Sequence, residues 1–373
     1  MATARFAVGF CGGASTTAFA ISGGQPPNSQ VTNVEEWAFT GLDPSTTPAA
    51  DYANAITGAF YYNSTTGQFK TVNDGGAPIG SWSSGGNLNT ARYGMMSGGN
   101  TTAAIAAVGN TEGTTEGYTS ATESYDGSSW SEVAEANTTR GFGASGTQTP
   151  ATAAIIFGGG PAPTAYSALT ETWNGSSWTE TGDLNTARGN LMGAGSTSTA
   201  AIAASGYPGP ITSTESWDGS SWTEIAEISN VRPEGGAGTG TSTAAFIIGG
   251  SYPGGNRYAL VEEWDGSSWT ETGDINTARA YMSSAGSVTD SIIGGGNATA
   301  PVGYYKALTE GWNGTTWTEV SDMATGRYGG NTGTGTGGTN LLFAGGETSP
   351  TSRPAATEEW TAADFQIKSV TTS

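Results

Sequence analysis

Histidine is absent from this 373-residue chain, cysteine occurs once, and only twelve residues are Lys or Arg. Without histidine, a Ser-His-Asp triad and the common imidazole metal sites are excluded. The single thiol, Cys11, rules out an intrachain disulfide framework, and its place in an apolar strand pattern reads as a buried, inert side chain. Against so few basic residues stand 32 Asp and Glu, for a formal net charge of −20. Such a surface repels nucleic-acid phosphates and anionic headgroups, so neither nucleic-acid binding nor membrane insertion is expected. No apolar run reaches the length of about 18 residues that a spanning helix needs. The opening residues Met1–Arg5 run straight into patterned sequence, so no leader peptide is expected.

What is present is periodic. Seven of the nine arginines, Arg5, Arg92, Arg140, Arg188, Arg232, Arg279 and Arg327, hold one recurring position, with spacings of 48, 48, 44, 47 and 48 residues from Arg92 onward. A period in this range marks an array of structural repeats. Each unit reads as four short strands. Between Arg140 and the next arginine come Gly141–Ser145, then Ala153–Phe157 closed by Gly158-Gly159, then Leu169–Trp173, the turn Asn174–Ser177, and a strand opening on Trp178. The Asn-Gly or Asp-Gly of that turn is a strong hairpin signal, since both residue types tolerate positive φ. The hairpin recurs as Tyr125–Trp130, Trp217–Trp222, Trp264–Trp269 and Trp312–Trp317. With 60 glycines and 15 prolines, composition alone would favour disorder, but the regular aromatic spacing supplies every unit with a group to bury.

A lone four-stranded sheet of this size cannot bury both faces, and radial stacking into a propeller solves the problem. Seven arginine-to-aromatic intervals predict seven blades, at 1–91, 92–139, 140–187, 188–231, 232–278, 279–326 and 327–373, with Phe365 as the second aromatic of the last. In the first, the two aromatics are Trp37 and Trp82, so residues 38–81 read as an insertion in its outer hairpin. Residues 58–72 of the insertion read as a strand–turn–strand, whose Phe60, Tyr61, Tyr62, Phe69 and Lys70 are candidates for attachment or oligomerisation. Ring closure is expected from side packing, not from a shared blade.

The Gly-Gly doublet ending the second strand, the aromatic-Asp of the third, the Trp of the fourth and the following Arg together resemble the repeat of the kelch family, over nearly the whole chain. Two copies depart from it, at Val108-Gly109-Asn110 and Ser205-Gly206-Tyr207. The resemblance implies an all-β, seven-bladed kelch-type β-propeller with an insertion in the first blade. Copper radical oxidases on kelch propellers need His ligands and a Cys–Tyr crosslink that this chain does not supply; no metal or cofactor is expected.

Much of the repeat is scaffold. All twelve tryptophans occupy the two repeat aromatic positions and read as inter-blade packing. Glu35, Glu123, Glu171, Glu215, Glu262, Glu310 and Glu358 each stand two residues before the first aromatic, on the same strand face, and are expected to meet the repeat arginines near the blade seams, with the blade that supplies each partner left open. Recognition is expected where the copies differ, in the loops between the second and third strands. These hold half of the fourteen tyrosines, Tyr118, Tyr166, Tyr207, Tyr252, Tyr258, Tyr304 and Tyr305, with Lys306 and both non-repeat arginines. Tyr and Arg dominate interface hot spots, so the predicted contact surface is Tyr252, Arg257, Tyr258, Tyr304, Tyr305, Lys306 and Arg353.

The Tyr61–Lys70 segment, joined to Gly-Ser-Thr-rich repeats carrying Asn-Thr-Ala-Arg, resembles segments of virion proteins of marine tailed bacteriophages. That resemblance implies a non-enzymatic tail, fibre or capsid-surface component, assembled in the host cytoplasm and then extracellular. Its partners would be other virion proteins or a host-surface glycan or protein, with self-association as a further expectation. Two alternatives stand beside it: a bacterial kelch scaffold or adhesin, and a carbohydrate-active enzyme with an acidic pair that no motif singles out.

Overall fold

The computed structural model describes residues 80–362, apart from loop segments at 115, 147–149, 161–164, 210, 253–254, 300–303 and 330–333, together with the backbone of five strands nearer the N-terminus. The chain divides into two compact units, Met1–Pro78 with Asp364–Ser373, and Ile79–Ala363. In the first, β1 (Gly9–Gly12), β2 (Thr17–Gln25) and β3 (Ser29–Ala38) form a three-stranded antiparallel sheet, and β4 (Phe60–Asn63) pairs with β5 (Gln68–Thr71) as a separate hairpin.

The second unit is a β-propeller of six blades, each a four-stranded antiparallel sheet. In chain order the first five are β7 (Met96–Asn100), β8 (Ala103–Ala107), β9 (Thr122–Tyr125) and β10 (Trp130–Glu132); β11 (Ala144–Ser145), β12 (Ile155–Phe157), β13 (Thr170–Trp173) and β14 (Trp178–Glu180); β15 (Met192–Thr197), β16 (Ala200–Ala204), β17 (Thr214–Trp217) and β18 (Trp222–Ile225); β19 (Ala237–Gly240), β20 (Ala245–Ile248), β21 (Val261–Trp264) and β22 (Trp269–Glu271); and β23 (Ser283–Ser287), β24 (Asp290–Gly294), β25 (Thr309–Trp312) and β26 (Trp317–Glu319). The sixth takes β27 (Thr334–Gly337), β28 (Asn340–Ala344) and β29 (Thr357–Thr361), and completes itself with β6 (Ser81–Ser84) from the other end of the unit. Neighbouring first strands meet one another around the axis, with β27 returning to β7.

This corrects the expectation of seven blades. Trp82 is not the outer aromatic of a first blade. It lies opposite Trp360 in the register of β29 with β6, with ring centroids 5.7 Å apart. One strand of the first repeat copy is thus spent on closing the ring, and the other three form β1–β3 in the other unit. Closure through packing alone is corrected with it. A hydrogen-bonded strand joins the two ends of the propeller, which leaves no open seam between last and first blades. Phe365 lies outside the described residues.

The core follows from the repeat. Six separate apolar clusters fill six seams, each built from the first two strands of one blade and the aromatic pair of the next. Where its side chain is described, every tryptophan but Trp82 is buried. The outer Trp indole also donates across the seam: Trp178 to Thr122 Oγ1, Trp222 to Thr170, Trp130 to Thr357 and Trp82 to Thr309, at 2.9–3.1 Å. At one seam the acceptor position is Val261, and the Trp317 indole N–H has no partner.

The Gly-Gly doublet marks the closest approach between blades. A Cβ on Gly158, Gly249, Gly295 or Gly345 would stand under 3.0 Å from the carbonyl oxygen of the next blade's arginine. The second doublet glycine donates its N–H to that same carbonyl, from Gly159 to Arg188, Gly250 to Arg279, Gly296 to Arg327 and, across the closing seam, Gly346 to Arg92. The two copies without the doublet keep the left-handed turn, with φ of 55° at Val108 and 60° at Ser205. Ser205 adds a side-chain bond of 2.7 Å to the Arg232 carbonyl.

Candidate functional site: an axial basin

The repeat arginines are structural. Each described one reaches the glutamate of its own blade, Arg92–Glu123 at 3.1 Å, Arg140–Glu171, Arg188–Glu215 at 2.7 Å, Arg232–Glu262 at 2.9 Å, Arg279–Glu310 at 2.6 Å and Arg327–Glu358 at 2.7 Å. Both partners are buried in every pair. Further guanidinium N–H groups bond strand-end carbonyls, as Arg279 does to Gly295 and Leu308. The second glutamate oxygen accepts from the link that precedes the arginine; Asn276 gives it both its backbone and its side-chain N–H. Buried charge is thus paired within the blade, as burial demands, although the Nε of Arg92, Arg140, Arg188, Arg232 and Arg327 has no hydrogen-bond partner among the described residues. Arg5 lies outside the described residues. Glu35 lies on β3, where its backbone pairs with Ala20.

Immediately after each arginine the chain turns toward the axis. The residue two places on takes a left-handed conformation in five blades: Gly94 (φ 64°), Phe142 (56°), Asn190 (53°), Tyr281 (55°) and Gly329 (63°). Their backbones bond head to tail around the axis. Phe142 N–H donates to Gly94, Asn190 to Phe142, Gly94 to Gly329, Gly329 to Tyr281, and Tyr281 to Gly235, at 2.5–3.1 Å. In the fourth blade Pro233 follows the arginine, and Gly235 takes the belt position one residue later. The belt narrows the axis to a void of about 40 Å³ beside it.

Above the belt opens a basin of about 410 Å³ to which all six blades contribute. One wall is aromatic, with Tyr93, Tyr118, Phe142, Tyr281, Tyr304 and Tyr328. These rings brace one another: Tyr93 meets Phe142 edge-on at 5.1 Å, and Tyr281 and Tyr304 lie 5.6 and 5.8 Å from Tyr328. The rest of the lining is polar: Asn190, Glu234 and Arg257 come from the third and fourth blades, and Asn110 from the first, where its backbone is bridged to Tyr93 and Tyr118. Arg257 is held by Glu234 at 2.8 Å and by Asn297 Oδ1 at 2.8 Å. Glu347, which receives Arg353 at 2.9 Å, also accepts from the Tyr305 and Tyr328 hydroxyls at 3.0 and 3.2 Å. Each non-repeat arginine is therefore matched by a carboxylate. Burial, with the field of Glu234, pushes the Tyr281 phenol well up, and burial with Glu347 does the same for Tyr328. These phenols stay protonated at neutral pH.

Of the predicted contact residues, Arg257 and Tyr304 line the basin, and Tyr304 is exposed. Tyr305 stands behind the wall, stacked on Tyr328 at 5.6 Å. Arg353 lies over the Tyr93 ring at 4.9 Å. Tyr252 and Tyr258 pair with each other at 4.6 Å and are not among the lining residues; nor is Lys306, whose backbone bridges Gly296 and Arg327. Phe60, Tyr61, Tyr62, Phe69 and Lys70 sit on the β4–β5 hairpin, whose backbone alone is described.

Sequence reasoning missed Tyr93, Phe142, Asn190, Glu234, Tyr281 and Tyr328, which follow repeat arginines in links read as scaffold. A signal was present. The second residue after the arginine changes from Gly to Phe, Asn or Tyr between copies, whereas the arginine does not change.

The fold and the basin define the class: an all-β six-bladed propeller with an axis narrowed by a backbone belt and a basin beside it. No protein-family model matches the sequence, and no curated protein matches it. Among solved structures, the one described as "Structure of YjhT" superposes with a TM-score of 0.60 at 14% identity, covering 76% of this chain and 99% of that one. At that identity the likeness is one of propeller fold.

Proposed function

We propose that this chain is a non-enzymatic recognition propeller, serving as an attachment or assembly component of a tailed-phage virion. The observation that carries the recognition reading is the basin, to which every blade sends a side chain and whose lining includes Thr114, Tyr118, Arg257 and Tyr304 from loops that differ between copies. A rigid ring presenting varied loops is the usual division of labour between scaffold and recognition. Tyr252, Tyr258 and Lys306 belong to the wider contact face in this reading, and the β4–β5 hairpin to attachment. The virion setting is supported by the strong acidity and by the resemblance of the Tyr61–Lys70 segment.

The test has two parts. Mass spectrometry of purified particles, with immunogold labelling, is expected to locate the chain on the virion surface. Recovery only in a bacterial envelope or cytosolic fraction would favour the scaffold or adhesin reading. The immobilised chain is expected to capture intact host cells or a virion protein, and a variant combining Tyr304→Ala with Tyr252→Ala is expected to capture less. Equal capture by that variant would remove the loop face from the function.

A further inference from the structure

We propose that the axial basin is a site for one uncharged sugar ring, the terminal residue of a neutral glycan. The inference rests on the recognition reading above and names the ligand class of its central site.

Three features of the basin point the same way. Its size is that of a small-molecule site. The belt of backbone hydrogen bonds narrows the axis at its base, and the volume of about 410 Å³ falls in the range of small-molecule pockets and suits a compact ring better than an extended strand. Its chemistry is divided. A pyranose has a C–H face, which packs on aromatic rings, and a rim of hydroxyls, which require donors and acceptors. The basin's lining combines tyrosine rings with the Asn190 amide and the hydroxyl-bearing Tyr281 and Tyr304. None of these three polar groups has a hydrogen-bond partner among the described residues, so each is free to serve a ligand. The rings are already braced against one another, so little side-chain freedom is lost on binding.

Charge then selects within the sugars. Arg257, the one cation among the described lining residues, is matched by Glu234, and Arg353 beside the basin by Glu347, so a carboxylate or sulfate in the basin meets no unpaired arginine; Lys306 is not among the lining residues. The chain as a whole carries −20, which opposes an anionic ligand further.

The probe is an array of glycans ending in neutral hexoses and N-acetylhexosamines, with sialylated and sulfated glycans as the anionic arm. Titration calorimetry on any hit follows, with the full chain and two variants. Asn190→Gly deletes the amide while keeping a residue suited to positive φ, as Gly94 and Gly329 show at the same place in other blades. Tyr281→Phe removes one hydroxyl and leaves the ring. Binding confined to the neutral arm is expected, weakened about five- to tenfold in each variant. A silent array, a preference for the anionic arm, or unchanged affinity in both variants would overturn the sugar site. A silent array with continued capture of a virion or host protein would sink the sugar site alone. Loss of all capture would sink the recognition reading too.

Discussion

Buried arginines are the residues on which the blades turn. Arg188 has no exposed surface, and its guanidinium serves Glu215 and the carbonyls of Ala203, Ser205 and Ser213. Arg188→Ala strands the Glu215 carboxylate and three carbonyls, and is expected to destabilise the propeller by about 3–5 kcal/mol in urea denaturation. An unchanged midpoint would show that water reaches the pair. The seam at Val261 offers the opposite test. Four outer tryptophans bond a threonine of the preceding blade, but Trp317 faces a valine. Val261→Thr is expected to supply the missing acceptor and gain about 0.5–1 kcal/mol, read as a higher urea midpoint. A lower midpoint would mean that the hydroxyl is desolvated without being bonded, as holds for Thr214 beside Trp269.

At the level of the element, the outer hairpin is set by one side chain. The Oδ1 of Asp218 accepts from the N–H groups of Ser220 and Ser221 at 2.8 Å, and Asp126 and Asp265 repeat the arrangement. Gly219 takes the positive φ of 97° that the turn needs. Bonds from the Ser221 and Ser220 amides and the Ser220 hydroxyl hold the Asp218 carboxyl at about 2, below its ordinary 3.8. The folded value is depressed, so the contribution is complete above pH 3.8 and fades as pH falls toward 2. Asn174 and Asn313 build the same turn without a titrating group. Asp218→Asn is therefore expected to leave stability near pH 7 little changed and to flatten its decline between pH 4 and 2, as followed by tryptophan fluorescence. An acid profile identical to the wild type would show that the turn does not contribute there.

For the whole molecule, the decisive feature is the strand that closes the ring. β6 gives the sixth blade its outer edge, and the Trp82 indole bonds Thr309 of the fifth at 2.9 Å. A fragment of residues 79–363 is expected to unfold with the propeller transition of the full chain. A fragment beginning at residue 86 loses Trp82 and exposes the edge of β29. It is expected to lose about 3–5 kcal/mol and to self-associate through that edge, as seen by calorimetry and light scattering. Equal stability of the two fragments would mean that β6 is dispensable. This strand also explains the miscounted blades. The arginine period counts seven copies along the sequence, but only six blades form. It did not reveal that the copy nearest the N-terminus divides, with Trp82 joining Trp360 across more than 270 residues. The candidate site was half visible for a similar reason. Arg257 and Tyr304 stood out as departures from the repeat, while Phe142, Asn190 and Tyr281 lay hidden beside the arginines that define it.

Local chemistry was legible along the chain. Two-residue alternation, Asp-Gly turns and a burial anchor in every unit specify short strands and hairpins, because each depends on groups within about one repeat of one another; that Arg and Glu meet was legible too, but not that each pair lies within one blade. The number of blades, the strand that seals them and the basin at the axis arise only when distant copies meet. A periodic sequence assigns every copy nearly the same neighbours, so the ring alone settles which residues face one another across its centre.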